Sequence, residues 1–141
     1  MKQILRVVFL FVLVLAVFGA VEAKQTGIAT INLRACLDEN GDEICESVVD
    51  GATVCFHYKG EAERCFFTED GEYWEDSKPT GPYFARGEAP EGYHLVGITC
   101  SGTDLSNQPI PNVCKVKGNQ VMFKVRKDTN AVIVYFLLAR N

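Results

Sequence analysis

Short apolar or alternating runs, separated by turn residues, fill the chain after residue 23, and no long stretch has helical periodicity. The run from Gln120 to Arg126 is typical, since apolar residues occupy every second position from Val121 to Val125. This pattern predicts an all-β chain without helix. The predicted strands are Ile28 to Cys36, Ala52 to Tyr58, Arg64 to Thr68, Tyr83 to Arg86, Tyr93 to Cys100, Val113 to Val116, Gln120 to Arg126 and Ala131 to Ala139.

The segments between these runs carry the residues that β-turns require. Gly and Asn tolerate positive φ, and Pro holds φ near the value of a turn. Seven or eight short strands joined in this way predict a single antiparallel β-sandwich. The predicted turns are Glu69 to Gly71, Pro79 to Pro82, Ala89 to Gly92, Gly118-Asn119 and Asp128 to Asn130.

The last predicted strand, Ala131 to Ala139, is apolar on both faces. A strand in a lone sandwich usually alternates, because one face packs on the core and the other meets water. An outward face of Ile133, Tyr135 and Leu137 would therefore be covered by a protein partner or a second copy, or else by the segment from Cys100 to Cys114. The pattern leaves both explanations open.

The N-terminus has the pattern of a secretory signal peptide. Lys2 and Arg6 precede an apolar run from Val7 to Phe18, and Val21-Glu22-Ala23 is a small-residue cleavage pattern. The run is shorter than the roughly 20 residues that span a bilayer, so no stable membrane span is expected. We expect residues 1–23 to be removed and residues 24–141 to form one β-sandwich domain.

Six cysteines, all after residue 23, predict three disulfides in a secreted chain. Cys55 and Cys65 flank a turn centred on Gly60, so a hairpin would place them opposite each other. Six cysteines allow 15 connectivities, and the spacing favours sequential pairing. The expected pairs are Cys36 with Cys45, Cys55 with Cys65, and Cys100 with Cys114.

The segment from Asp38 to Glu46 sets oxygen-bearing side chains at alternate positions between Cys36 and Cys45. Hard oxygen ligands at this spacing are typical of a calcium loop, here stapled by a disulfide. Six acids lie within the thirteen residues from Asp38 to Asp50, and ordering them without a cation costs repulsion. A solvated acidic turn is the alternative.

Five short segments between Leu33 and Thr99 occur in an ordered set. They are Asp38-x-Asn40-Gly41-Asp42, Asp50 to Val54, Thr68 to Tyr73, Gly81-Pro82-Tyr83 and Ala89 to Tyr93. This set resembles the B-type repeat of bacterial surface adhesins, and beyond Cys100 the likeness thins to a pattern of strands. The resemblance implies a prealbumin-like (transthyretin-like) sandwich at the cell surface.

The resemblance also implies a calcium-bound loop near the start of the module. Carried over residue by residue, its ligands would be Asp38, Asn40, Asp42 and Glu46, with the Ile44 carbonyl as a fifth oxygen. Two departures weaken such a site: Glu43 stands where the family commonly has Gly, and Val49 occupies the position of a distal bidentate Glu. Calcium and a solvated turn both remain open.

Some adhesin modules of this type carry a Lys to Asn isopeptide bond whose formation a Glu catalyses. In this sequence Arg34 lies near the lysine position, Arg86 at the Glu position and Leu138 near the Asn position. The comparison therefore argues against an isopeptide bond, and we expect disulfides in its place.

Charge and histidine content argue against two classes of function. Without residues 1–23 the chain keeps 12 basic and 17 acidic side chains, a net charge of −5, which disfavours nucleic acid as a partner. His57 and His94 are the only histidines, so a Cys/His nucleophile or a zinc site would compete with the disulfides. His57 is expected opposite Glu63, and the acidic segment 72–76 is expected as a solvated turn rather than a glycosidase pair.

Aromatic residues near the predicted loops are the remaining candidates for binding. Tyr73, Trp74, Tyr83 and Tyr93 would suit a platform for sugar or protein if exposed, and core packing is the alternative. We therefore predict a secreted or cell-surface structural or adhesive module, self-associating or bound to a protein through the last strand, without catalysis. A secreted carbohydrate- or small-molecule-binding domain is the alternative.

Overall fold

The computed structural model describes residues 26–141, which form ten β-strands and no helix. None of these residues therefore belongs to a helix that could cross a bilayer, and the predicted signal peptide lies outside the described residues. The strands are β1 (Thr26–Leu37), β2 (Ser47–Val48), β3 (Thr53–Tyr58), β4 (Arg64–Phe67), β5 (Glu72–Pro79), β6 (Gly81–Glu88), β7 (Tyr93–Asp104), β8 (Cys114–Lys117), β9 (Gln120–Val125) and β10 (Thr129–Arg140).

The first sheet is built around β1 and β10, which run parallel as neighbours. Their register extends from Thr30 beside Ala131 to Leu37 beside Leu138. β7 pairs antiparallel with the other edge of β10, while β2 and β5 pair with the other edge of β1. The first and last described strands therefore lie side by side within this sheet.

The second sheet has the order β4-β3-β6-β9-β8 and is antiparallel throughout. The alternation in β9 sets its orientation, since Val121, Phe123 and Val125 are buried whereas the residues between them are exposed. β4 and β8 are the edges of this sheet.

The core lies between the two sheets and is apolar. The ring of Tyr83 stacks on Phe56 and on Phe123, with centroids 5.5 and 5.6 Å away. Removing such side chains from water contributes roughly 25 cal/mol per Å² of apolar surface. From the first sheet, this core receives Ala29, Ile31, Leu33, Ile98, Val132, Val134 and Phe136.

The sandwich has two distinct ends. β1 and β10 finish together at the upper end, where Leu37 lies beside Leu138 and Arg140 beside Tyr93. The lower end holds the starts of both strands and the β5–β6 and β9–β10 turns, because Thr26 pairs with Pro79. The segment after β1 therefore projects from the upper end.

The predicted all-β sandwich is confirmed at the level of fold class, and each predicted strand corresponds to an observed one. The structure adds β2 and β5. The prediction of a turn over residues 72–76 was wrong, because β5 is an edge strand, where charged residues and a terminal proline are tolerated. The sequence predicted an antiparallel sandwich, but β1 and β10 pair in parallel. Alternation within a strand does not encode the direction of a partner that is distant in sequence.

Candidate functional site

Three disulfides join the cysteines in sequential pairs, as the spacing predicts. Cys36 and Cys45 close the loop after β1, and Cys55 and Cys65 face each other across the β3–β4 hairpin. Cys100 of β7 and Cys114 of β8 connect the two sheets, with Cα atoms 6.5 Å apart. No described cysteine is free.

The four predicted platform residues are not brought together. Tyr83 is a core residue, only 1% exposed, so its assignment to a platform was wrong. Its hydroxyl donates to the carbonyl of Pro79 at 2.5 Å, and burial raises the pKa of Tyr83. Tyr93 lies beside Arg140 at the upper end. Only Tyr73 and Trp74 share a surface, on β5.

That surface is an open cleft of about 740 Å³ between β4 and β5, and we call it the aromatic cleft. Two exposed aromatic side chains line it, Phe67 at 72% and Trp74 at 51% exposure. The rings of Phe66 and Tyr73 stack within it, with centroids 4.1 Å apart. Carboxylates also line the cleft, so it combines aromatic faces with negative charge; they belong to Glu69, Asp70 and Glu72.

Hydrogen bonds fix the aromatic side chains of the cleft. The indole Nε1 of Trp74 donates to Glu72 Oε2 at 2.7 Å, while Glu72 Oε1 lies 2.9 Å from Arg34 Nε. The hydroxyl of Tyr73 donates to Glu75 Oε1 at 2.5 Å, and burial raises the pKa of Tyr73. The cleft is therefore preorganised, because its indole and phenol already have fixed partners. Phe67 was missed by the sequence analysis, since an apolar residue in a predicted strand carries no sign of exposure.

The acidic loop, residues 38–46, is held by its own side chains and backbone amides. Asp38 is 3% exposed and accepts from the amides of Gly41 at 2.9 Å and Glu43 at 3.1 Å. Asp42 Oδ1 accepts from the Ile44 amide at 2.9 Å. Glu43 has φ 63, so the chain makes a left-handed turn at the position where the adhesin repeats that the sequence resembles commonly have Gly.

These residues fit calcium in donor type but not in placement. Carboxylate, amide and carbonyl oxygens are the ligands that calcium prefers. Among the described residues, however, Asp38, Asp42 and Glu46 do not gather their carboxylate oxygens within 4.8 Å of one another. Glu46 Oε1 instead accepts from the amides of Glu39 and Asn40, at 3.2 and 3.3 Å. Calcium binding would require these oxygens to move closer together, and it stays a prediction.

Calcium at about 2 mM should raise the melting temperature if the acidic loop binds it. Extracellular sites have dissociation constants near 10⁻⁴ to 10⁻³ M, so mass action would contribute about 0.6 to 1.8 kcal/mol. Differential scanning calorimetry with and without calcium measures this shift, and Asp42→Ala should abolish it. Glu61→Ala, an exposed acid outside the loop, is the matched control. An identical melting curve for the wild-type chain with and without calcium would identify the loop as a solvated turn.

The outer face of β10 is only partly open. Ile133 and Tyr135 are half-buried, and the Arg34 guanidinium lies 5.7 Å from the Tyr135 ring centroid. Leu137 is 1% exposed, so it offers almost no surface to a partner. Cys100 packs against the core, as Val134 does, so its disulfide does not cover this outer face. Contact through Ile133 and Tyr135 stays a prediction.

His57 and Glu63, which face each other across the β3–β4 hairpin, each have a further partner on β6. His57 stacks on Phe84 of β6, with ring centroids 5.2 Å apart. On its other side, the β3–β4 register that pairs Phe56 with Arg64 continues to His57 opposite Glu63, as expected. Glu63 accepts from Arg86 Nη2 at 2.9 Å, and this hydrogen bond holds the pKa of Glu63 below its usual value. In the described part of the chain, Cys55, Glu63 and Cys65 form a cluster of metal-ligand type, but its cysteines are consumed in a disulfide.

The inner face of the β1–β10 interface is apolar over the described register. Paired side chains there are Ile31 with Val132 and Leu33 with Val134, all fully buried and apolar. Arg34 faces outward toward Glu72, and Leu138 packs in the core. Hydrogen bonds and apolar packing join β1 and β10 at these positions, and the expected absence of an isopeptide bond stays a prediction.

Residues 26–141 form a disulfide-bonded β-sandwich module with two five-stranded sheets, three disulfides and a parallel pair of the first and last described strands. A bacterial adhesin from Mobiluncus mulieris, which contains intramolecular disulfide, isopeptide and ester bond cross-links, has a similar fold. In two crystal forms the TM-score is 0.52 at 13% identity, over 83% of this chain and 42% of the adhesin chain. The resemblance to adhesin modules is thus shown for the fold.

The major pilin protein T-13 of Streptococcus pyogenes matches with a TM-score of 0.43 at 13% identity, over 82% of this chain and 46% of the pilin. The chain thus spans less than half the length of these structures. No protein-family model matches the sequence, and no curated protein matches it.

Proposed function

We propose that the chain is a secreted or cell-surface structural module that carries mechanical load, with adhesion as its biological setting and no catalysis. The fold is similar to that of a bacterial adhesin, and disulfides of this density are typical of extracellular domains. The signal-peptide pattern of residues 1–23 supports the same location.

The parallel pairing of β1 and β10 carries this proposal. β1 begins at the lower end and β10 finishes at the upper end, so force applied through the two chain ends slides one strand along the other. This sliding stretches all the hydrogen bonds between β1 and β10, from Thr30 to Leu37 of β1, at the same time, so they share the force. A strand that is peeled away loses its bonds one after another and resists less.

None of the disulfides connects β1 to β10. They connect β1 to the acidic loop, β3 to β4, and β7 to β8. Resistance to a pull through the chain ends therefore depends on the β1–β10 ladder and its buried inner face.

Single-molecule force spectroscopy tests this proposal in one domain. The chain held at residues 24 and 141 should unfold at a markedly higher force than the same chain held at residues 91 and 141. In the second geometry Arg140 and Tyr93 form the first pair, so β10 peels from β7 stepwise. Glu91 is exposed and suits a site-specific handle. Equal unfolding forces in the two geometries would refute a load-bearing role.

We also propose that the outer face of β10 contacts a protein partner laterally. Ile133 and Tyr135 leave half-buried apolar surface there, beside the polar Ser101 and Thr99 of β7. Desolvated apolar surface with a polar rim is typical of a contact between proteins.

A carbohydrate- or small-molecule-binding domain is the second candidate function. The aromatic cleft favours it, because Trp74 is half exposed and its indole is held by Glu72. Trp74 is the only tryptophan of the chain, so its fluorescence reports directly on ligands in the cleft. A saturable fluorescence change on titration with a soluble glycan would favour this function over a purely structural one.

A further inference from the structure

A second groove lies at the lower end of the sandwich, between β8, β9 and the start of β6, and we call it the basic groove. It has a volume of about 380 Å³ and an apolar floor that includes Pro82, Val113 and Met122. Lys115, Lys124 and Arg126 also line it. The groove combines an apolar surface with positive charge, in a chain whose net charge is negative.

The cations of the basic groove are available to a partner. Lys115, Lys124 and Arg126 are all exposed, and none forms an ion pair with another described residue. The carboxylates of Asp104 and Asp128 also belong to the lower end, but Asp104 Oδ1 is already bound by the amides of Ser106 and Gln108. The groove therefore presents uncompensated positive charge.

The acidic loop has the complementary properties at the upper end. Ile44 projects from it with 64% of its surface exposed. The exposed carboxylates of Asp42, Glu43 and Glu46 surround this apolar side chain in sequence. The Cys36–Cys45 disulfide and the internal hydrogen bonds hold the loop in one shape, so docking would cost little ordering entropy.

We infer that the acidic loop of one copy docks in the basic groove of the next, with Ile44 on the apolar floor and the loop carboxylates against the groove cations. The charge and the apolar character of the two surfaces are complementary, because each offers an apolar element beside charges of a single sign, and the signs are opposite. The two surfaces lie at opposite ends of the sandwich. Such a contact is heterologous, and because its two surfaces lie at opposite ends it favours an open linear array over an isologous dimer.

This array would align with the direction in which the proposed module carries load. β1 starts at the lower end and β10 finishes at the upper end, so end-to-end contacts continue the axis of the β1–β10 ladder. The inference rests on the proposed structural role, but the two are tested separately. Force resistance is measured within a single domain, whereas the docking contact is measured as association between domains.

Sedimentation velocity of the chain from residue 24 to 141 provides the test. At about 0.01 M ionic strength, where the Debye length is roughly 30 Å, the wild-type chain should form a concentration-dependent series of oligomers. At about 0.15 M the association should weaken. Lys124→Glu and Glu43→Lys should each weaken association by more than about tenfold, because each places like charges in contact.

A charge-swap mixture identifies the contact. Lys124→Glu and Glu43→Lys chains should fail to associate alone but associate when mixed, since each opposite-charge contact then re-forms between the two variants. Lys117→Glu is the matched control: it makes the same charge change on β8, outside the groove, and should retain association. Ile44→Ser should also weaken association without any change in charge. Unchanged melting temperatures would show that each variant is folded.

Several results would overturn the inference. They are a strictly monomeric wild-type chain at low ionic strength, a single closed dimer, or variants at positions 43 and 124 that associate as the wild type does. Loss of association in Ile133→Lys together with its retention in Lys124→Glu would assign self-association to the outer face of β10 instead. A monomeric chain that still resists force through its ends would leave the load-bearing role standing.

Discussion

Reduction of the three disulfides should unfold the domain or bring it to the edge of unfolding. Closing loops of 9, 10 and 14 residues contributes about 2.6 to 3 kcal/mol each in the chain-entropy model, and about 8 kcal/mol in total. Domains of this kind have a total stability of about 5 to 15 kcal/mol. Loss of the bridges therefore removes an amount comparable to the whole stability.

Urea unfolding of the oxidised chain and of the reduced, alkylated chain measures this loss. Mass spectrometry of the unreduced chain should first show no free thiol and the three sequential pairs. Among pairwise serine variants, Cys100→Ser/Cys114→Ser should cost the most, because this bridge closes the longest loop and also connects the two sheets. A reduced chain with the urea midpoint of the oxidised chain would contradict the prediction.

Replacing Phe136 with alanine should destabilise the domain by about 3 to 5 kcal/mol. Phe136 is 1% exposed on β10 and packs in the core between the sheets. Its ring lies directly over Gly87 of β6, where an added Cβ would come within 2.5 Å of Phe136 Cδ1. Gly87→Ala should therefore also destabilise, by about 1 to 3 kcal/mol, because the ring has to move.

The double variant Phe136→Ala/Gly87→Ala separates the direct packing of these two residues from other effects of the single substitutions. Alanine at position 87 partly fills the space that Phe136→Ala leaves, so the combined cost should be smaller than the sum of the single costs. Equilibrium urea unfolding of the four proteins gives the coupling energy. Val132→Ala is the control, since Val132 is buried on the same strand but the atoms nearest to the added Cβ all belong to Phe136. Strict additivity of the Phe136 and Gly87 variants would contradict direct packing between them.

Much of the fold follows from local patterns. Alternation in β9 and the apolar run of β10 predict both strands to within a few residues, and the turn at Gly60 places Cys55 opposite Cys65. β5 was missed because an edge strand need not alternate, and its inward residue Glu75 is charged. The parallel pairing of β1 and β10 depends on contacts about 100 residues apart along the chain, which no local pattern records.

The candidate sites were harder to predict because they depend on exposure. Tyr83 and Trp74 are both aromatic residues near turns, yet one is in the core and the other lines the cleft. The difference arises from strand phase: Tyr83 faces inward beside Phe56 and Phe123, while Trp74 lies on a sheet edge. The basic groove joins residues from β6, β8 and β9, so it exists only after the second sheet has formed.

Because each bridge closes a short stretch of chain, the domain also has a limited contour length once it unfolds under tension. The 14 residues closed by the Cys100–Cys114 bridge cannot be extended, which shortens the stretched chain by roughly 50 Å. Loss of the β1–β10 ladder would thus release a chain shorter than its residue number implies. A module of this kind therefore lengthens by a limited distance when it unfolds. Its disulfide-closed loops stay closed and serve as starting points for refolding when the tension falls.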